Sequence, residues 1–165
     1  MTIQIRYGVF ETNSSSTHSI SVATGAAVYE TVPLSQDDYV VLKGGEFGWE
    51  RADYNDALTK ANYMAIYAMS WAHKKPRSEG PLTEADHFYY KEEFTEILKG
   101  VIKRQTGCKD VIFAFGTDWN DRNWSYIDHQ SVENNEYHYL FRNPDLLRQF
   151  IFNPKSTLHT DNDNY

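Results

Sequence analysis

The sequence predicts a single α+β domain, with a mixed or antiparallel sheet packed against two long helices. Three observations predict it. Residues 2–10 and 18–24 alternate polar and apolar side chains, the period of a half-buried strand. Residues 53–75 and roughly 83–105 repeat apolar residues every three or four positions, the period of a helix. Residues 110–115 form a near-continuous apolar run, which fits a central strand. At 165 residues the chain is most simply one domain with a real core, spanning residues 1–165 and ending in a polar tail, 161–165, expected to fray.

Taken in order, Ile3, Ile5, Tyr7 and Val9 fall on one face of the first strand, and Gln4, Arg6 and Gly8 on the other. Ile20 and Val22 mark the second strand, expected to pair with the first across a hydroxyl-rich loop. Residues 26–38 are irregular. Residues 39–42, Tyr-Val-Val-Leu, read as a strand that Gly44 and Gly45 break. Residues 46–50 read as an aromatic loop in which Trp49 anchors the chain or walls a pocket. The clearest helix is expected over 53–75, with Asp53 as its cap and Pro76 after its end. Thr83 opens the next helix with a capping-box pattern and Gly107 closes it. A strand is expected over 124–131, a short helix over 145–152 with Pro144 at its start, and a last strand over 157–160. The expected core is Leu58, Ala61, Ala65, Met69, Phe94, Ile97, Val111 and Phe113.

Composition narrows the function classes. A net charge of −7 disfavours non-specific duplex DNA binding, which needs Lys and Arg against phosphates. An aromatic content of 15% argues against disorder; the tyrosines are expected in core and surface alike, the alternative being a face that stacks bases or sugars. The single cysteine, Cys108, allows no internal disulfide and suits a reducing cytoplasm. The alternating N-terminus reads as a strand rather than a secretory leader, and no apolar run approaches a membrane span.

Two polar clusters hold the candidate chemistry. The first is the loop from Glu11 to Ser19. Its hydroxyls, Ser14, Ser15, Ser16 and Thr17, favour a turn whose N–H and O–H groups can cradle an anion, with Arg6 as a further anion ligand. His18 is a candidate general acid or base, oriented by Glu11. The bland alternative is a solvated turn whose hydroxyls cap their own backbone. The second cluster is Asp128, His129, Gln130 and Ser131, expected where a strand ends, as ligand sites in α/β proteins often are. Asp128 would orient His18, His129 would carry protons, and Ser131 and Trp49 would contact ligand. The two clusters are expected to meet in space. No HExxH pair, Walker loop, GxSxG elbow or paired-cysteine zinc spacing is present, so no metal site and no cofactor is assigned.

The run Arg6-Tyr7-Gly8-Val9-Phe10-Glu11-Thr12-Asn13-Ser14-Ser15-Ser16-Thr17-His18-Ser19 resembles the N-terminal signature of small bacteriophage-encoded proteins of unassigned function. Residues 47–49, 126–131 and 150–160 are similar to later blocks of such proteins, so the resemblance spans most of the chain. It implies a bacterial host cytoplasm and carries no activity or catalytic assignment. Three readings follow. The first is a phage accessory protein that binds a host protein or a small ligand. The second is an enzyme or binding domain for a phosphate-bearing, nucleotide-like ligand at the Ser/Thr/His loop. The third is a metal-dependent nuclease using Glu11, Asp118, Asp121, Asp128 and His129, which the chain's acidity disfavours.

Overall fold

The computed structural model of the chain describes residues 2–3, 18–26, 28–48, 50–71, 84–128 and 137–160. The alternation around His18 produces the first pairing. β1 (Thr2–Ile3) runs antiparallel to β2 (Ser19–Ala23), with Thr2 opposite Ala23 and Ile3 opposite Val22. The rest of the expected first strand lies outside the described residues. The further strands are β3 (Tyr39–Leu42), β4 (Glu46–Phe47), β5 (Ala52–Tyr54), β6 (Asp110–Phe113), β7 (Tyr126–Ile127) and β8 (Thr157–Thr160).

These strands do not form the single sheet that the sequence predicts. One four-stranded antiparallel sheet has the order β1-β2-β8-β5. The apolar β6 is not part of it: it pairs in parallel with β3, Val40 opposite Val111. β4 and β7 form a second short parallel pair, Phe47 opposite Ile127. The reason lies at Gly44 and Gly45. Gly44 has φ 74° and its N–H donates to Asn62 Oδ1, while the Gly45 N–H donates to Ser125 Oγ. A Cβ on Gly44 would lie 2.1 Å from Ser125 Oγ, so only glycine lets the chain turn this closely. The corner splits one long run into β3 and β4 and sends their partners, β6 and β7, with them. The strand expected over 124–131 is correspondingly short, and residues 129–136 lie outside the described set.

The first helix also starts later than expected. α1 (Ala57–Ile66) is capped by Asp56, whose side chain accepts from the Thr59 N–H. Asp53 belongs to β5 instead, opposite His159 of β8, and its carboxylate bonds that ring. α1 continues as a π-helical segment, Tyr67–Trp71. The Ser70 hydroxyl bonds back to the Ile66 carbonyl there, 2.6 Å away, one of the insertions that loosen a helical ladder. α2 (Glu84–Thr106) is the one long helix among the described residues, closed by Gly107 at φ 72°. α3 (His138–Arg142) is a short helix that the sequence reading missed. α4 (Pro144–Phe152) has Asn143 as its cap and Pro144 in its first turn.

The fold is mixed α and β, with small sheets around one apolar core. Ala61, Ala65, Phe94 and Val111 are buried in it as expected, and Ile97 and Phe113 pack against it partly buried; Met69 is half-buried. Leu58 is the correction, at 36% exposed. The buried stripe of α1 passes through Ala57, Lys60, Ala61, Met64 and Ala65, which turns Leu58 outward. Lys60 takes the inner place and is 0% exposed. Its ammonium donates to the Asn153 and Ser156 carbonyls, both at 2.9 Å. That clasp joins α1 to the turn between α4 and β8. Asn153 completes the turn by donating to the Ala23 carbonyl of β2.

Candidate functional site

His18 immediately precedes β2 and shares the inward face with Ile20 and Val22, since side chains alternate along an extended chain. It is 1% exposed. Its Nδ1 is 2.9 Å from the Tyr63 hydroxyl of α1, and the two rings lie 5.7 Å apart. Its other nitrogen, Nε2, is buried and has no hydrogen-bond partner among the described residues. A buried polar atom without a partner is costly and rare. Burial pushes the His18 imidazole down to about 4, with Asp128 pulling it up and His159 pushing it further down. His18 is therefore neutral near pH 7, and Asp128 and His159 lie within its electrostatic reach.

Asp128 follows β7 and is also buried. Its N–H donates to the Phe47 carbonyl, 2.8 Å away, which continues the β4–β7 pairing by one residue. Gly48 makes room for it. Gly48 has φ 134°, and a Cβ there would lie 2.3 Å from Asp128 Cβ. Phe47 and Tyr137 pack edge-on against the Tyr63 ring, at 5.1 and 6.1 Å, and so hold the hydroxyl that bonds His18.

The sheet brings a second imidazole to the same end. His159 lies opposite Ser19 of β2 and opposite Asp53 of β5. Its Nδ1 is 2.5 Å from Asp53 Oδ1. Thr160, next along β8, donates from its hydroxyl to the Glu50 carbonyl. His18 and Asp128 thus lie within electrostatic reach of each other, while His159 and Asp53 pair beside Ser19 on the other face of the sheet.

Of the residues singled out in the sequence, the structure places His18 and Asp128 in one electrostatic neighbourhood. Arg6, Glu11, Ser14, Ser15, Ser16, Thr17, Trp49, His129 and Ser131 lie outside the described residues. Asp118 and Asp121 are engaged by their own turn. Asp121 Oδ2 accepts the Asp118 N–H at 3.1 Å, and Asp118 Oδ1 accepts the Asn120 N–H at 2.9 Å. No group of three His, Cys, Asp or Glu placed to hold a metal ion occurs among the described residues.

Tyr63 and Gly48 are the members that sequence reasoning missed, and it also missed the His159–Asp53 pair on the other face of the sheet. Tyr63 reads as one more apolar position of a helix. Asp53 reads as a helix cap. An Asp-Tyr-Asn-Asp run offers two candidate caps, and choosing Asp56 frees Asp53 for a strand. No family model, curated protein or solved structure matches the chain.

Proposed function

We propose that the protein is a bacteriophage accessory factor that works by binding a small phosphate-bearing ligand, nucleotide-like in chemistry, at the His18 end of the sheet. One observation carries the reading: a neutral, buried histidine, next in sequence to the hydroxyl-rich segment, with one nitrogen fixed by Tyr63 and the other lacking a partner among the described residues. When Tyr63 donates to Nδ1, the tautomer leaves Nε2–H as a donor to a ligand oxygen. Ser14, Ser15, Ser16, Thr17 and Arg6 then supply the remaining phosphate contacts. Asp128 accepts a ligand hydroxyl, as a sugar would present, and Trp49 stacks on a planar base. A buried contact of this kind favours a small ligand over the flat face of a host protein. His129 and Glu11 are placed by sequence to serve proton transfer if the bound ligand is turned over.

The test is a thermal-shift series with inorganic phosphate, nucleoside mono-, di- and triphosphates and unphosphorylated nucleosides. A ligand that binds only the folded chain raises its melting temperature, by an amount set by its concentration over Kd. We expect a phosphorylated compound to raise it in the wild type and to lose most of that effect in His18→Gln. A shift of equal size in both proteins refutes the site. No shift with any phosphorylated compound refutes the ligand class.

A further inference from the structure

We propose a second reactive site, on the opposite face of β2 from His18: a nucleophilic serine, Ser19, served by His159 and Asp53. It goes beyond ligand binding at His18 and stands on different atoms. Ser19 lies directly across the ladder from His159, and His159 directly across from Asp53. Residues opposite one another in antiparallel strands share a face, with Cβ atoms about 4.5–5.5 Å apart. Three neighbouring strands therefore set a hydroxyl, an imidazole and a carboxylate in one row. Asp53 Oδ1 lies 2.5 Å from His159 Nδ1, a short contact that holds the ring proton on that side and makes Nε2 the basic nitrogen. The division of labour is that of a serine nucleophile with its base and the base's orienting acid.

The frame around the row is firm. One repeat along the same face, Thr157 lies opposite Ser21 and donates to Asn55 Oδ1 at 2.7 Å. Thr160 ties β8 to the Glu50 carbonyl. The row is also reachable, since the His159 side chain is 33% exposed. An open sheet face provides no deep walls, so it suits a small activated acyl ester rather than a substrate that needs enclosure.

In the reaction, Ser19 Oγ forms a bond to the acyl carbon while its proton passes to His159 Nε2. Asp53 stabilises the resulting imidazolium. The bond to the leaving oxygen then breaks, and His159 returns the proton to that oxygen. Water releases the acyl group by the same steps, giving the carboxylic acid and free Ser19. Closure of Oγ onto Nε2 accompanies substrate binding, as catalytic hydrogen bonds commonly tighten beyond their apo lengths.

The experiment treats the full chain with a fluorophosphonate probe and reads intact mass, labelled peptide and labelling rate. Fluoride leaves as the Ser19 oxygen bonds phosphorus. We expect one adduct, on Ser19, absent in Ser19→Ala and unchanged in Ser21→Ala. The rate should fall by at least about tenfold in His159→Gln, the low side of what a general base supplies. Asp53→Asn, which keeps the shape of the row, should slow labelling in the same direction. No adduct in the wild type overturns the proposal, as does an adduct that survives Ser19→Ala. A labelling rate indifferent to both partner variants overturns it equally. Labelling is read by mass and ligand binding at His18 by thermal shift, so failure of one and failure of the other are separate results.

Discussion

Lys60→Met is the perturbation that tests the packing most directly. Lys60 is wholly buried, with two carbonyl acceptors at 2.9 Å and the Phe150 ring centroid 5.9 Å from its Nζ. Methionine keeps the length and removes both donors. Each hydrogen bond to a charged group contributes about 1.5–3 kcal/mol, and each carbonyl left unpaired in the interior costs about 1–3 kcal/mol. Relief from burying a charge offsets part of this. The net expectation near neutral pH is a loss of about 2–4 kcal/mol. The pH dependence gives the sharper signature. Burial pushes the Lys60 ammonium from 10.5 down to about 8, with Glu30 and Asp56 pulling it back up. Between those values the unfolded chain binds the proton and the folded chain does not, so this group adds stability as pH rises across that window. At 1.36 kcal/mol per unit the gain approaches about 3 kcal/mol. The neutral amine still has two N–H donors for its two carbonyls. Urea unfolding of both proteins, near pH 7 and again near pH 10, should show the gap between them widening with pH. A gap that stays constant, or a variant as stable as the wild type near pH 7, refutes a buried, clasping Lys60.

Other outcomes follow from the same geometry. Leu58→Ala should cost less than about 1 kcal/mol in chemical denaturation, because the side chain is exposed; a cost of about 2–5 kcal/mol would put it in the core. Gly48→Ala should destabilise by about 2–4 kcal/mol, since it adds a Cβ at a left-handed φ and against Asp128; an unchanged melting temperature would contradict that approach. His18, with its folded value near 4 and its unfolded value at 6.5, loses stability as pH falls through that interval. His18→Gln should flatten that acid limb, and an NMR titration placing His18 near 6.5 would show it to be solvated.

Local signals were legible in the sequence where one element decided its own form. The period-two run around Ile20, the Asn143-Pro144 start of α4 and the glycine stop of α2 all appear where the residues indicate. The partner of β6 was not legible. Its apolar residues fit any buried strand, and its parallel pairing with β3 joins segments about seventy residues apart, which no local pattern encodes. Lys60 was hidden because a lysine on a helix reads as solvated until its acceptors, more than ninety residues away in the chain, are known. The candidate site was half legible. His18 and Asp128 stand out as chemistry near strand ends, whereas Tyr63 and His159 acquire meaning only from the strands and helix they meet.

The position of β8 has a consequence for how the chain reaches this state. β8 lies between β2 and β5, and its contacts with them cross long stretches of sequence, as in the bond 106 residues apart from His159 to Asp53; Ser156, just before β8, meets Ala23 across 133. Until it docks, β2 and β5 have no strand between them and present open edges. Such non-local closure slows folding, because the entropy of bringing distant segments together is lost before their contacts form. During synthesis the early strands therefore wait on the late one. That interval is when a chaperone, or a neighbouring copy of the chain, meets their unpaired backbone.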